Sequence, residues 1–577
     1  MPEYLSPGVY VEEFESGGRP MEGVSTSTAG FLGLAERGPV EGLPELVTNY
    51  ADFQRIFGGH LAENVFGEYR FLSYAVEHFF LNGGGRCYVM RVAPSDAKTA
   101  SNFTEQTAES TPLQITAKNP GKWAEKIKIL IKPASKAKTQ ILEIIEQGPS
   151  KVYRVKSSIG FNAGDVVVFD DGENKTYNRI LKSQDNILDL EEPFDDSVID
   201  KELLPTKTLS TCEFTLLVGY GDEVEEYDRV SLNAAAANFV EKAAAKSRLV
   251  NVAATPSESL EPPFEILTGD TEKTELRINL TGGSDGSVEN VSAGDFMGED
   301  FGPGKRTGIQ SFIDNDEVAI MAVPGVTDPN VQLSLVAHCE NLTSRFAVLD
   351  VPRDKKKVAD VLTHRNIFDS DYAAMYHPWL MVYDPLDKRN IAIPPSGSVV
   401  GIYSRSDTTR GVHKAPANEV VRACVGLDCQ YNKGEQDILN PKGVNLIRFF
   451  TGQGIRVWGA RTVSSNSLWR YVNVRRLFIF LEGSIRSGSN WVVFEPNAEP
   501  LWGRVQRTIE SFLTGVWRSG ALSGSGPAEA FFVNVDRSTM SQDDIDNGRL
   551  ICVIGVAPVK PAEFVIFRIT QKTGDSA

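Results

Sequence analysis

The spacing of apolar positions changes along this chain, and the changes divide it. Residues 8–14, GVYVEEF, alternate in steps of two between Pro7 and the turn-rich ESGGRP. The closing stretch repeats the pattern after Pro558 and Pro561, with Val565, Phe567 and Ile569 on one face and Phe564, Ile566, Arg568 and Thr570 on the other. An apolar strand at a terminus is a sticky edge unless a sheet receives it. Neither terminal strand has an obvious partner in its own neighbourhood.

Between these ends the period shifts. TSTAGFLGLAERGPV, LVTNYADFQRIFGG and EYRFLSYAVEHFFLNGGGRCYVMRV read as strand, short helix, longer helix and strand. The same α/β alternation returns with EVAIMAVPG, DPNVQLSLVAHCENL, RFAVLDVP and, after a further helix, the strand AAMYHPWLMVYD. The intervening stretch is rich in β-branched runs and turn clusters, with a small β-module nested at about 135–210 and one helix over 232–247, LNAAAANFVEKAAAKS. The expected organisation is an α/β multidomain chain. An N-terminal arm (1–25) precedes an α/β domain (26–95 plus 306–400) that is interrupted by a β-rich insertion (96–305). A C-terminal domain (401–560) and a C-terminal arm (561–577) follow.

Two helices are expected in the last third, VNVRRLFIFLEGSIRSG and EPLWGRVQRTIESFLTGVWRSG. In the second, Leu501, Trp502, Val505, Ile509, Phe512, Leu513, Val516 and Trp517 share one side. Arg504, Arg507, Ser511, Thr514 and Arg518 fall within about 80° on the other, with no acidic residue in that arc. Like charges along a helix repel, so a purely basic stripe points to an acidic partner.

Charge sharpens this. The chain carries 59 Lys/Arg against 76 Asp/Glu, a net −17, which argues against wholesale binding to nucleic acid or anionic membrane. Residues 441–520 run the other way, with eleven Lys/Arg and four Glu giving +7 and leaving −24 elsewhere. No apolar run approaches the ~18 residues that span a bilayer, so direct membrane insertion is not expected. Six scattered cysteines form no disulfide framework, and the first residues have neither a basic nor an apolar leader region, so synthesis in a reducing cytoplasm is expected.

Candidate chemistry is thin. Gly282–Gly286, GGSDG, matches the nucleophile-elbow pattern at Ser284, but no convincing helix follows and no histidine stands in an evident motif. Gly83–Gly85 precede a strand, the wrong order for a phosphate loop. Cys424 and Cys429 form one pair where a zinc site needs two. Asp222–Asp228, DEVEEYD, reads as a solvated acidic face. Neither cofactor, metal nor catalytic centre is expected, and a structural role leads.

SPGVYVEE, HFFLNGGGRCYVMRV, NPGKWAEKIKI, LTGGSDG, HKAPAN, GIRVWGARTV, FEPNAEPLW, FLTGVWRSGAL and GRLICVIGVAPVKPAEFVIFRITQ resemble the phage tail sheath family, including sheaths of phage-like contractile injection particles. The resemblance runs from residue 6 to about 571. It implies stacked, hexameric rings of subunits around an inner tube, shortening to drive that tube through a target envelope. The α/β core would lie near the lattice interior, the insertion outside, and baseplate and tail terminator proteins would be further partners. It also implies that the arms donate strands to neighbouring subunits, through Val9, Tyr10, Val11 and Phe14 at one end and Phe564, Val565, Ile566, Phe567 and Ile569 at the other. Arg504, Arg507 and Arg518 become the face expected to hold the inner tube. The product would be a phage tail or a phage-like extracellular or intracellular particle. The alternatives are a hydrolase using Ser284 and a non-contractile assembly or adhesion protein.

Overall fold

In the computed structural model the described residues are 21–103, 113–147, 150–170, 175–194, 208–255, 260–564 and 566. The arm residues Val9, Tyr10, Val11, Phe14, Val565, Phe567 and Ile569 lie outside them.

The centre is a nine-stranded sheet in the order Glu45–Val47, Cys87–Val92, Ala29–Leu34, Ile320–Ala322, Phe346–Asp350, Ala373–His377, Val444–Phe450, Gly454–Val457, Glu419–Val420. The six strands from Cys87–Val92 to Val444–Phe450 are parallel, and antiparallel strands close both edges. Parallel strands covered on both faces must be apolar at every position, which is why GFLGL and FAVLD are runs rather than alternations. Successive residues feed opposite cores. Phe31, Val348 and Tyr376 pack on one face, and Leu32, Leu349 and Met375 on the other. Helices Leu72–Leu81 and Ser396–Arg410 contribute to the first core, and Pro329–Leu342 and Val358–Arg365 to the second. Gly397 and Gly401, one turn apart, let Ser396–Arg410 lie against the backbone of Leu72–Leu81, since a Cβ at either would collide with the Ala75 or Phe79 carbonyl.

Residues 93–319 leave this sheet after Cys87–Val92 and re-enter it at Ile320–Ala322, on the other side of Ala29–Leu34. They hold a four-stranded sheet (Glu223–Val230, Glu213–Tyr220, Lys128–Ala134, Leu276–Asn279) and a three-stranded sheet (Val250–Ala254, Leu113–Ala117, Ser101–Phe103) around one core. A closed six-stranded barrel formed by Lys138–Thr211 is filled by Tyr153, Phe169, Leu188 and other apolar side chains. After the central sheet come the helices Val472–Gly488 and Glu499–Arg518, with the ribbon Phe531–Asn534/Val553–Val556 against them. The fold is thus mixed α/β with several sheets and a small barrel.

Several elements depart from expectation. The helix expected over 232–247 forms only at Val240–Ala244. Asn233 turns the preceding backbone away from helix, its Oδ1 accepting from Ala235 N–H while its amide donates to the Ala163 carbonyl. The strand read from AAMYHPWLMVYD splits at Pro378, which cannot donate to a ladder, and Leu380–Asp384 pairs in a separate three-stranded sheet. The acidic run is not wholly solvated, for Glu225 turns inward to accept from Tyr227 Oη (2.9 Å), Ser247 Oγ (2.6 Å) and Arg248 N–H (2.9 Å). Position 400, where the sequence reading divides two domains, lies inside helix Ser396–Arg410, and the central sheet continues past it to Val457.

Candidate assembly surface

Two amphipathic helices in series, joined by a short linker, fold back on each other, as the Phe480–Phe512 ring contact (6.0 Å between centroids) records. Leu477, Leu481, Leu501, Trp502, Val505, Ile509, Leu513 and Val516 form the buried seam. Phe512 and Trp517, expected in the core, are only partly buried at its margin.

The chain's first described segment, Met21–Thr26, lies along the first of these helices. Gly483 and Gly488 leave room for Val24 and Met21, and Val24 N–H donates to Ser484 Oγ (3.0 Å). At its inner end a charge pair fixes it. Arg476 donates to both oxygens of Asp407 (2.9 and 2.6 Å) and to the Thr26 carbonyl (2.9 Å), while Thr26 Oγ1 donates to Asp407 (2.7 Å). The Arg476 guanidinium also sits 4.7 Å over the Tyr403 ring. Both partners of the pair are buried, at 3% and 4% exposure, so every polar atom matters.

The other terminus is fastened the same way. Glu563 accepts two hydrogen bonds from Arg461 (2.8 and 2.6 Å), one from Asn440 Nδ2 (2.7 Å) and one from Tyr471 Oη (3.1 Å). Burial pushes the Glu563 carboxyl up, but the Arg461 and Asn440 hydrogen bonds and the Arg461 charge outweigh it and hold the group below its ordinary value. Just beyond, Phe564 and Ile566 are exposed. The ribbon Phe531–Asn534/Val553–Val556 has only two strands among the described residues, with Phe532 and Val553 exposed.

The basic block is not one free surface. Arg461, Arg475 and Arg476 are spent inside the chain on Glu563, Asp371 and Asp407. On the second helix Arg504, Arg507 and Arg518 are exposed as expected. Arg504 has an acidic partner that the helical pattern missed, Glu495 of the linker (3.2 Å), and it lies over the Trp491 ring. Arg507 and Arg518 make no ion pair among the described residues. The linker tip carries Val493 and Phe494. Phe494 is fully exposed (103%) and left-handed (φ 69°), a backbone state that aromatic residues rarely adopt.

The sites weighed for chemistry resolve into structure. Ser284 Oγ accepts Gly286 N–H (3.2 Å), and the Ser284 backbone bridges Lys98. Gly83–Gly85 join helix Leu72–Leu81 to strand Cys87–Val92. Cys424 and Cys429 are free and partly buried, and burial raises both thiols. Among the described residues no three His, Cys, Asp or Glu side chains converge as metal ligands, and no helix is long and apolar enough to cross a membrane.

Comparison with known proteins matches residues 304–463 to the phage tail sheath protein central domain and 464–572 to the phage tail sheath C-terminal domain. A prophage major tail sheath protein of Pseudomonas aeruginosa strain UCBPP-PA14 is 23% identical over 277 residues, covering 46% of this chain and 69% of its own length. The tail sheath protein of Escherichia phage P2 is 24% identical over 241 residues, covering 40% of this chain and just over half (56%) of the phage protein. The contracted sheath complex of an extracellular contractile injection system, PVC, has the same fold, with a TM-score of 0.52 at 20% identity over 99% of both chains.

Proposed function

We propose that this chain, whose residues 304–572 match the central and C-terminal domains of phage tail sheath proteins, is a member of that family and the structural subunit of a contractile sheath. It polymerises in stacked rings around an inner tube and shortens to drive that tube through a target envelope, with baseplate and terminator proteins at its ends. It is made in the cytoplasm and becomes part of a phage tail or phage-like particle. Its work is mechanical, a rearrangement between two packed lattices with no cofactor.

The observation that carries this reading is that both terminal segments are fastened at their roots. Thr26 is held by Arg476–Asp407 and Glu563 by Arg461, and the alternating apolar stretches of the sequence lie outside those anchors along the chain. A segment that leaves the body to add a strand to a neighbour needs a firm root, because lattice tension would otherwise peel it away. Val9, Tyr10, Val11 and Phe14 form one such strand, and Phe564, Val565, Ile566, Phe567 and Ile569 the other. The ribbon Phe531–Asn534/Val553–Val556, with its exposed apolar residues, is the sheet that receives them. Residues 96–305 face outward. Arg504, Arg507 and Arg518 hold an acidic inner tube through contacts individually worth about 0.5–1 kcal/mol and repeated around every ring, weak enough to release on contraction.

The test keeps both anchors. A chain ending at Phe564 retains Glu563 and is expected to stay folded yet form no tubes. Normal tubes from that chain would remove the C-terminal strand from the mechanism.

A further inference from the structure

A groove of about 1570 Å³ runs between Met21–Thr26 and the second hairpin helix. Its floor is apolar (Leu477, Phe480, Phe512 and Val516), and its rim carries Arg410, Arg507 and Arg504, the last already facing Glu495 of the linker. Asp407, the one acid among the residues lining it, is already neutralised by Arg476. An apolar floor under a cationic rim suits an extended, acidic, alternating segment.

We propose that in the free subunit this groove is the seat of the chain's own segment Gly8–Phe14, a latch that covers the basic face until the subunit assembles. Three observations converge on this occupant. The first is where the chain enters. Met21 itself lines the groove and packs at Gly488, beside the linker whose Trp491 contacts Arg504, so residues 1–20 start at the groove's mouth. Between Phe14 and Met21 the sequence ESGGRP carries the turn-forming residues Gly17, Gly18 and Pro20. The second is length. Arg504 to Ser519 spans fifteen helical steps, about 22 Å at ~1.5 Å each. Gly8 to Phe14, extended, is six steps and covers about 20 Å at ~3.3 Å each, close to that length.

The third is charge. Residues 1–20 hold Glu3, Glu12, Glu13 and Glu15 against Arg19, whereas 565–577 hold Arg568 and Lys572 against Asp575, so the cationic rim selects the N-terminal segment over the C-terminal one. A segment tethered at the mouth has an effective concentration in the millimolar range, which favours its own groove over a second copy's when subunits are dilute. Assembly then exchanges this seat for a neighbour's sheet, and leaving the seat uncovers Arg504 and Arg507.

Amide hydrogen exchange on the gel-filtered, monomeric full chain tests this. Amides of Gly8–Phe14 are expected to be protected in the native sequence. Arg504→Glu/Arg507→Glu is expected to lower that protection about tenfold. Glu12→Gln/Glu13→Gln/Glu15→Gln, which leaves the folded body untouched, is expected to do the same. Adding Glu12→Arg and Glu13→Arg to the double arginine variant should restore protection. Unprotected amides in the native chain, or protection that survives both sets of substitutions, would overturn the latch. Protection that grows with protein concentration would assign the groove to a second copy and overturn it equally. No tube or lattice enters the experiment, so its failure would leave the sheath reading standing.

Discussion

Replacing Asp407 by Asn tests how firmly the N-terminal segment is rooted. The substitution keeps the shape of the side chain and removes its charge, leaving the Arg476 guanidinium, 3% exposed, without its anion. Breaking one side of a buried pair costs about 3–5 kcal/mol, and here solvent screens little of it. Arg476 keeps the Thr26 carbonyl and the Tyr403 ring, which places the loss at the lower end, about 3 kcal/mol. That is a change of more than a hundredfold in an opening equilibrium. Hydrogen exchange reads it locally. The Val24 amide, which donates to Ser484, should exchange over a hundred times faster, while strands Ala29–Leu34 and Phe346–Asp350 stay protected. Thr26→Val, which removes only the hydroxyl's bond to Asp407, should cost about 1 kcal/mol. Asp407→Leu with Arg476→Met leaves no charge behind and should recover most of the loss. A single Asp407→Asn costing under about 1 kcal/mol, or a double variant no better than the single, would refute the reasoning.

Glu563→Gln should free the C-terminal root, speeding exchange at the Val559 amide that bonds the Ala521 carbonyl; unchanged exchange there would deny Glu563 an anchoring role. Arg504→Glu/Arg507→Glu should block assembly on tubes in the extended state while sparing spontaneous contracted tubes, and intact extended particles would mean that another surface holds the tube. Phe494→Gly should stabilise the free subunit by about 1 kcal/mol, because a left-handed aromatic residue with no packing is relieved of strain, and a melting temperature that falls would contradict this. Burial pushes His338 and His377 down to about 3, and His78 and His364 to about 4. With folded values depressed, their stabilisation is full above the unfolded value near 6.5 and drains as pH falls toward 4, about 1.4 kcal/mol per histidine by pH 5.5. Asp350, raised by burial to about 6, acts the other way, its contribution being full below about 4 and lost as pH rises through 6, so it offsets only part of this. A melting temperature flat from pH 7.5 to 5.5 would contradict the assignment.

The periodicities that reach the reader of the sequence are those set by burial on a regular element. GFLGL and FAVLD read as strands of an α/β alternation, and the long seam from Leu501 to Trp517 reads as a helix, because their apolar spacing answers directly to where the core lies. The helix expected over 232–247 was over-read, because side-chain bonds of Asn233 outcompete a run of alanines that has a high helix propensity but little to pack against, and only Val240–Ala244 is helical. The six-stranded closure of Lys138–Thr211 depends on pairing between distant strands, which local spacing does not encode. At the candidate surface the exposed Arg504, Arg507 and Arg518 were legible as a stripe. Their neighbour Glu495 was not, since it comes from a linker outside the helical pattern. The anchors Arg476–Asp407 and Arg461–Glu563 join residues 69 and 102 positions apart. The sequence signal that could have found one of them is the pair Arg475 and Arg476, two charges set among the apolar residues of VNVRRLFIFL, where an unpaired guanidinium could not be buried.

The central claim is that this chain builds a lattice with two lengths. Negative-stain electron microscopy of the full chain co-expressed with its inner tube tests it most directly. The account predicts striated tubes in two forms, one long and narrow and filled by the tube, the other shorter and wider. Particles of a single length, or subunits that remain monomeric at every concentration, would contradict it.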